Sequence, residues 1–238
     1  VRVWGLSLET RVDGTALFGE LTYRPNQPLG LNGTDLLNAF LSNTAPSLLR
    51  QDAIDTAAGD TYHGYDRHRM VQLQFGAMRP IKGLLGSDTL TLAGEVGIRQ
   101  YPGLPDVTVR RYGRSTLFGL GPVSGTCLSG STSAMCSNNG YVTGSSWGYR
   151  LRASARYPGL LAGNGDLVAT IGFAHDVDGW SHDGVFNEGR KLLNLTLRGE
   201  YQKRYFAELS YLTVLGHGGD YDNFRDRDYL TLSAGINF

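Results

Sequence analysis

Stretches of about ten residues in which apolar and polar side chains alternate recur along the whole chain, and this pattern constrains the fold more than any other feature. In the last stretch, 228–238, Leu230, Leu232, Ala234, Ile236 and Phe238 alternate with Thr231, Ser233, Gly235 and Asn237. A period of two marks a strand with one apolar and one polar environment, and about ten residues is the length of a tilted strand crossing hydrocarbon. Leu193, Leu195 and Leu197 alternate in the same way with Asn194, Thr196, Arg198 and Glu200. Tyr205, Ala207, Leu209 and Tyr211 alternate with Phe206, Glu208 and Ser210, and Trp147, Tyr149, Leu151 and Ala153 with Arg150, Arg152 and Ser154. Related stretches at 4–9, 17–24, 71–77, 90–99 and 167–174 bring the total to about nine strands of one design.

Alternation alone fits either a soluble sandwich, whose apolar face points inward, or a membrane barrel, whose apolar face points outward. Three features favour the barrel. Aromatic residues (Trp4, Tyr23, Trp147, Tyr157, Tyr201 and Tyr205 among them) stand at strand ends, as interfacial girdles require. Short connections at 11–15, 82–88, 162–166 and 202–204 alternate with long ones at 30–68, 103–146, 181–189 and 216–227, the segregation expected of periplasmic turns and external loops. The chain also ends on Phe238, in phase with the apolar face, as a signal to the barrel assembly machinery would be. Composition agrees. Gly numbers 33 and hydrophobic residues make up 41%, a poor recipe for a dense soluble core, while no apolar run is long enough for a membrane helix. Lys plus Arg and Asp plus Glu both number 22, which argues against a nucleic-acid partner.

The expectation is therefore an all-β, antiparallel up-and-down transmembrane β-barrel. It is a single domain over 1–238 in the outer membrane of a Gram-negative bacterium, with 30–68 and 103–146 as long extracellular loops. Nine strands ending at the periplasmic rim would put the amino end outside, whereas single-chain bacterial barrels have even strand counts. Further amino-terminal strands are thus expected to complete the wall. Cys127 and Cys136 lie close together in a Gly/Ser/Thr stretch without the His or second Cys pair of a zinc site, so a disulfide and an oxidising compartment are expected.

Two segments are the most specific. ELTYRPNQPLGLNGTDLL at 20–37 and NFRDRDYLTLSAGINF at 223–238 resemble the carboxy-terminal half of a large proteobacterial family, number thirteen-zero-two of the domains of unknown function. The resemblance spans essentially the whole chain. It implies an outer-membrane barrel working beside inner-membrane exporters of the resistance-nodulation-division type and a periplasmic partner, in the traffic of hydrophobic compounds. It carries no catalytic motif.

Charges on the polar parity are the first candidate site: Glu9, Glu20, Arg24, Glu95, Arg99, Arg150, Arg152, Arg156, Arg198, Glu200 and Glu208. On a lipid face they would cost several kcal/mol near the midplane, so their phase points to a wet or ion-paired lumen. They read either as cross-strand salt-bridge ladders or as a selectivity lining, with Arg150, Arg152 and Arg156 an arginine ladder favouring anions; the two can coexist. In the first long loop, 34–42 reads as a short helix with Thr34 as N-cap and with Leu36, Leu37, Phe40 and Leu41 on one side. That face either folds into the barrel mouth, as a constriction or apolar binding site, or packs on neighbouring loops. Asp220, Asp222, Asp226 and Asp228 read as a solvated loop, since they lack calcium-loop spacing. Ser181, His182 and Asp183 are consecutive, and neighbouring side chains do not line up as nucleophile, base and orienter. No cofactor, metal or catalytic residue is expected. The function expected is an outer-membrane channel or transport protein for small hydrophobic or amphipathic molecules, in contact with lipid, lipopolysaccharide and an inner-membrane or periplasmic partner. A general diffusion porin and an outer-membrane hydrolase are the alternatives.

Overall fold

The computed structural model describes residues 1–161, 163–216 and 220–236. Each alternating stretch is a strand: β1 (Trp4–Val12), β2 (Thr15–Gly30), β3 (Tyr65–Lys82), β4 (Thr89–Gln100), β5 (Ser145–Leu161), β6 (Gly165–Asp178), β7 (Lys191–Tyr201), β8 (Tyr205–Val214) and β9 (Tyr229–Ile236). They form one nine-stranded sheet in sequence order, every neighbouring pair antiparallel. Among the described residues β1 and β9 each have a single partner, so the sheet is open. No described helix is long and apolar enough to cross a membrane.

Turn chemistry sorts the connections by end. At one end β1 and β2 are joined through Asp13 (φ 47°) and Gly14 (φ 78°), and β7 and β8 through Gln202 (φ 53°) and Lys203 (φ 57°). Two successive positive φ angles are what a tight hairpin needs to match strand twist, and Asp-Gly supplies them with little strain. All long connections gather at the other end. There Leu29, Leu31, Leu49, Met70, Tyr101 and Tyr112 belong to the buried apolar cluster. The core of this molecule thus lies among its loops and strand ends.

The sheet itself has two unlike faces. Register aligns Leu6, Leu21, Leu73, Ile98 and Trp147 on one face and continues it through Ala153, Ile171, Leu195, Tyr211 and Leu230. Among the described residues nothing covers this face, since Leu6 (72%), Leu151 (51%), Ile171 (48%) and Leu232 (76%) are exposed. Across nine strands at ~4.8 Å spacing it is about 40 Å wide, far beyond the apolar patches of soluble monomers. Trp147 and Tyr157, at opposite ends of the β5 ladder, and the Tyr201–Tyr205 pair bound it with aromatic rings.

The connection from β2 to β3 carries α1 (Gly33–Leu41) and α2 (Arg50–Asp55). The helix expected at 34–42 is present, but its N-cap is Asn32, whose Oδ1 accepts from the backbone N–H of Thr34 (3.1 Å) and Asp35 (3.0 Å). The loop is also shorter than 30–68, because Tyr65 to His68 pair with Gly30 to Gln27 across a β-bulge that carries the ladder past Arg24. The second long loop holds the expected Cys127–Cys136 disulfide, with Cα atoms 5.6 Å apart. Beside it the Arg114 guanidinium stacks between the rings of Tyr141 (4.7 Å) and Tyr221 (4.6 Å) and donates to the carbonyls of Ser137 and Met135. Phe238, the expected assembly signal, lies outside the described residues.

Candidate functional site

The register puts all the charges expected on the polar parity on a single face of the sheet, opposite the apolar one. Their partners divide them. Arg198 pairs with Glu208 (3.4 Å) directly across β7 and β8, and Arg156 with Asp166 (2.5 Å). Between these pairs and the loops runs a neutral ladder: the hydroxyls of Ser154 and Thr170 are 2.9 Å apart, and those of Thr196 and Ser210 3.0 Å. Arg24 donates to Gln27 (3.0 Å). Glu9, Glu20, Arg152 and Glu200 stand on strands β1, β2, β5 and β7 and are not drawn into one cluster. An arginine ladder of Arg150, Arg152 and Arg156 is therefore interrupted, because two of its three members are neutralised by aspartates.

The strongest assembly on this face comes from the loop between β6 and β7, residues 179–190. Gly97 and Gly148 are directly opposite on β4 and β5, and both lie on the polar parity. A Cβ added to either would meet the Phe186 ring, at 3.1 Å and 3.2 Å, and at Gly148 it would first run into the His175 carbonyl at 2.5 Å. The two glycines therefore leave a notch, and Phe186, only 6% exposed, fills it from the polar side. Gln72, Gln74, Glu95, Arg99 and Arg150 surround it and leave a residual cavity of about 80 Å³.

Ion pairs hold the loop in place. Arg99, 5% exposed, reaches Asp183 (2.5 Å) and Gln72 (2.8 Å), and its guanidinium stands 5.9 Å from the centre of the Phe186 ring. Asp176, 1% exposed at the end of β6, accepts from Arg150 (2.6 Å), from Arg190 (2.7 Å) and from the Asn187 N–H (3.1 Å). Arg190 continues to Asp222 (3.2 Å) in the loop between β8 and β9. Within the loop, Ser181 Oγ donates to Asp183 (2.9 Å) and accepts from the Phe186 N–H (2.9 Å), while His182 Nδ1 turns away to the Tyr101 hydroxyl (2.6 Å). Ser181, His182 and Asp183 thus set the shape of the loop and do not align as nucleophile, base and orienter.

Two titrations follow from the loop. Burial holds the His182 imidazole below its ordinary value; Asp183 opposes this, and Arg99 and Arg24 reinforce it. The folded loop therefore favours the neutral ring, so its contribution to stability is present above the unfolded pKa of about 6.5 and is lost as pH falls from there toward the lowered folded value. Burial alone would raise Asp183, but its bonds from Arg99, Ser181 and the Val185 N–H outweigh that and hold it low. Its contribution is present above about pH 3.9 and lost as pH falls through the folded value. The His182 contact is thus expected to loosen first. In a variant retaining Trp180 alone, with Trp4 and Trp147 changed to Phe, emission should shift with a midpoint below pH 6.5, and His182→Gln should remove that step. A midpoint above 6.5 would contradict the burial of His182.

The helix-face residues Leu36, Leu37, Phe40 and Leu41 stand apart from this site. They line an open groove with residues 56–64. Asp35 and Ala39 are the residues that α1 buries. Asp176, Phe186 and Arg190 were not among the residues singled out from sequence. Two signals were visible: the Gly97–Gly148 pair facing each other on the polar parity, and Asp176, which continues that parity at the end of β6.

No group of His, Cys, Asp or Glu among the described residues is arranged to hold a metal ion. No curated protein and no solved structure matches the chain. A family match does exist and covers residues 1–238, so the chain belongs to the family DUF1302, described as a protein of unknown function.

Proposed function

We propose that this chain forms part of the wall of an outer-membrane β-barrel that lets small hydrophobic or amphipathic molecules cross. The observation that carries this reading is the contrast between the sheet's faces: one is apolar, uncovered and bounded by aromatic rings, while the other holds ion pairs and receives the loop 179–190. In water the first face would be a large aggregation surface; in lipid it needs no cover. A sheet edge has unpaired N–H and C=O groups that hydrocarbon cannot satisfy, so β1 and β9 need further strands to close the wall. The long-loop end would then face outward, toward lipopolysaccharide, and the short-turn end the periplasm, where an exporter or periplasmic partner would deliver cargo. The barrel assembly machinery would insert it.

The loop seated on the polar face favours a narrow pathway over a general diffusion pore. Planar-bilayer recordings of the full-length protein test this. Low steady conductance is expected, rising several-fold when 182–187 is replaced by a Gly-Ser link. Large steady conductance in the unaltered protein would favour the general porin, and failure to insert into bilayers would sink the reading. If the purified protein released fatty acid from phospholipid and Ser181→Ala stopped it, the hydrolase alternative would take its place.

A further inference from the structure

Helix α1 is mounted the wrong way round for a helix in water. Its polar side is anchored. Asn32 caps it and donates to the carbonyls of Gly113 (3.1 Å) and Arg114 (3.2 Å). Asp35, 1% exposed, accepts from the Leu48 N–H, and Arg50 takes the carbonyls of Asn38, Ala39 and Ala45 at the helix end. Leu36 packs against the buried cluster, but the other large apolar side chains are left outside: Leu37 is 55% exposed, Phe40 40% and Leu41 79%. An amphipathic helix on a soluble surface has the opposite arrangement.

These side chains form one wall of a groove of about 540 Å³, whose other wall is the segment 56–64. That wall is rigid. The Tyr62 ring lies 4.8 Å from the Phe40 ring, and its hydroxyl donates to Asp52 and accepts from Arg110 (3.0 Å). Arg110 in turn pairs with Asp52 (2.8 Å) and Asp66. The turn that follows α2 is closed by the Asp60 N–H bonding the Ala57 carbonyl (3.0 Å). Asp60 brings the one carboxylate among the groove-lining residues, and among the described residues no hydrogen bond or ion pair engages its side chain.

We infer that this groove binds a small amphiphile with an apolar body and a cationic head, the body against Leu37, Phe40 and Tyr62 and the head at Asp60. The volume falls within the range of sites for small organic ligands, about 300–1,000 Å³, and pre-formed apolar walls with one polar group at the lip are the usual build of such sites. The sign of the head follows from the lone carboxylate. A role for the groove as an entry site rests on the transport function proposed above; binding itself does not.

The test uses the full-length protein in phosphatidylcholine nanodiscs, titrated calorimetrically with 1-naphthylmethylammonium, 1-naphthylmethanol and 1-naphthalenesulfonate, with empty nanodiscs subtracted. The ammonium should bind about threefold to fivefold tighter than the alcohol, the gain an exposed ion pair allows, and the sulfonate weakest. Asp60→Asn should remove the difference between ammonium and alcohol while leaving both bound. Ala58→Trp fills the groove from its solvent side, away from the anchors of α1, and should weaken all three probes by at least about tenfold, as loss of a buried aromatic contact does. Equal binding of the three probes, binding that survives Ala58→Trp, or self-association that covers α1 in place of a ligand would each overturn the inference. If the probes bind as stated but none crosses a bilayer, the transport reading fails and the site stands. If cargo crosses and no probe binds, the reverse holds.

Discussion

Replacing Asp176 by alanine should cost about 3 kcal/mol of stability and release the loop 179–190 from the polar face. The carboxylate is 1% exposed and serves two guanidiniums, those of Arg150 (2.6 Å) and Arg190 (2.7 Å), together with the Asn187 N–H. Removing one partner of a buried pair is more costly than the pair is worth, because the other charge stays behind without compensation. The cost belongs at the lower end of the usual range of about 3–5 kcal/mol because Arg150 is 37% exposed and can recover water. Asp176→Asn should fall between, since an amide oxygen still accepts from Arg190. Urea unfolding in detergent micelles measures the stability. Protection of the Phe186 and Asn187 amides from hydrogen exchange reports on the loop. A loss below about 1 kcal/mol would mean that the loop is held by Phe186 in its glycine notch, with the ion pairs adding little.

Arg111→Met is expected to be at least as damaging, about 3–5 kcal/mol, and at a different place. Its side chain is fully buried, 3.8 Å from Asp35, with the Tyr141 ring 5.3 Å away. It donates to the carbonyls of Val107 (3.3 Å) and Gly121 (3.2 Å), and also to that of Pro122. Methionine would fill much of the volume but leave those carbonyls without the guanidinium donors and the Asp35 carboxylate without its counter-charge. Burial already pushes the Asp35 carboxyl above its ordinary value against the pull of the Leu48 N–H and of Arg111. Without Arg111 it can escape only by taking up a proton, so the loss should be larger at pH 7 than at pH 5. Asp35→Asn in the Arg111→Met background should recover part of the stability. Limited proteolysis within 101–144 should accelerate in the single variant. Equal losses at the two pH values would show that the carbonyls, and not the charge pair, dominate the cost.

The two variants act at different levels of the fold, and the difference tracks what could be read in advance. Strands were legible because period two is written residue by residue: Leu230, Leu232 and Ala234 share a face wherever the strand lies. Turn positions were legible for the same local reason, even at Gln202 and Lys203, where the positive φ angles could not be read from residue type. The N-cap of α1 was misplaced by two residues, because Asn32 and Thr34 are both good caps and only the approach of the Gly113 and Arg114 carbonyls favours Asn32.

Alternation, turn spacing and the Cys127–Cys136 pairing were thus determined by sequence alone, since each depends on residues close together in the chain. Which charges meet was decided only by tertiary structure. Arg150 faces Glu95 across one ladder and Ala174 across the other, yet its guanidinium goes to Asp176, the next residue of β6 on the same polar face, where the loop carrying Arg190 and Asn187 closes on that carboxylate. Phe186 reaches Gly97, far from it in sequence, because the loop carrying it folds back over the polar face. Long-range contacts of this kind depend on how a loop closes over a finished sheet, and a local pattern contains no information about that closure.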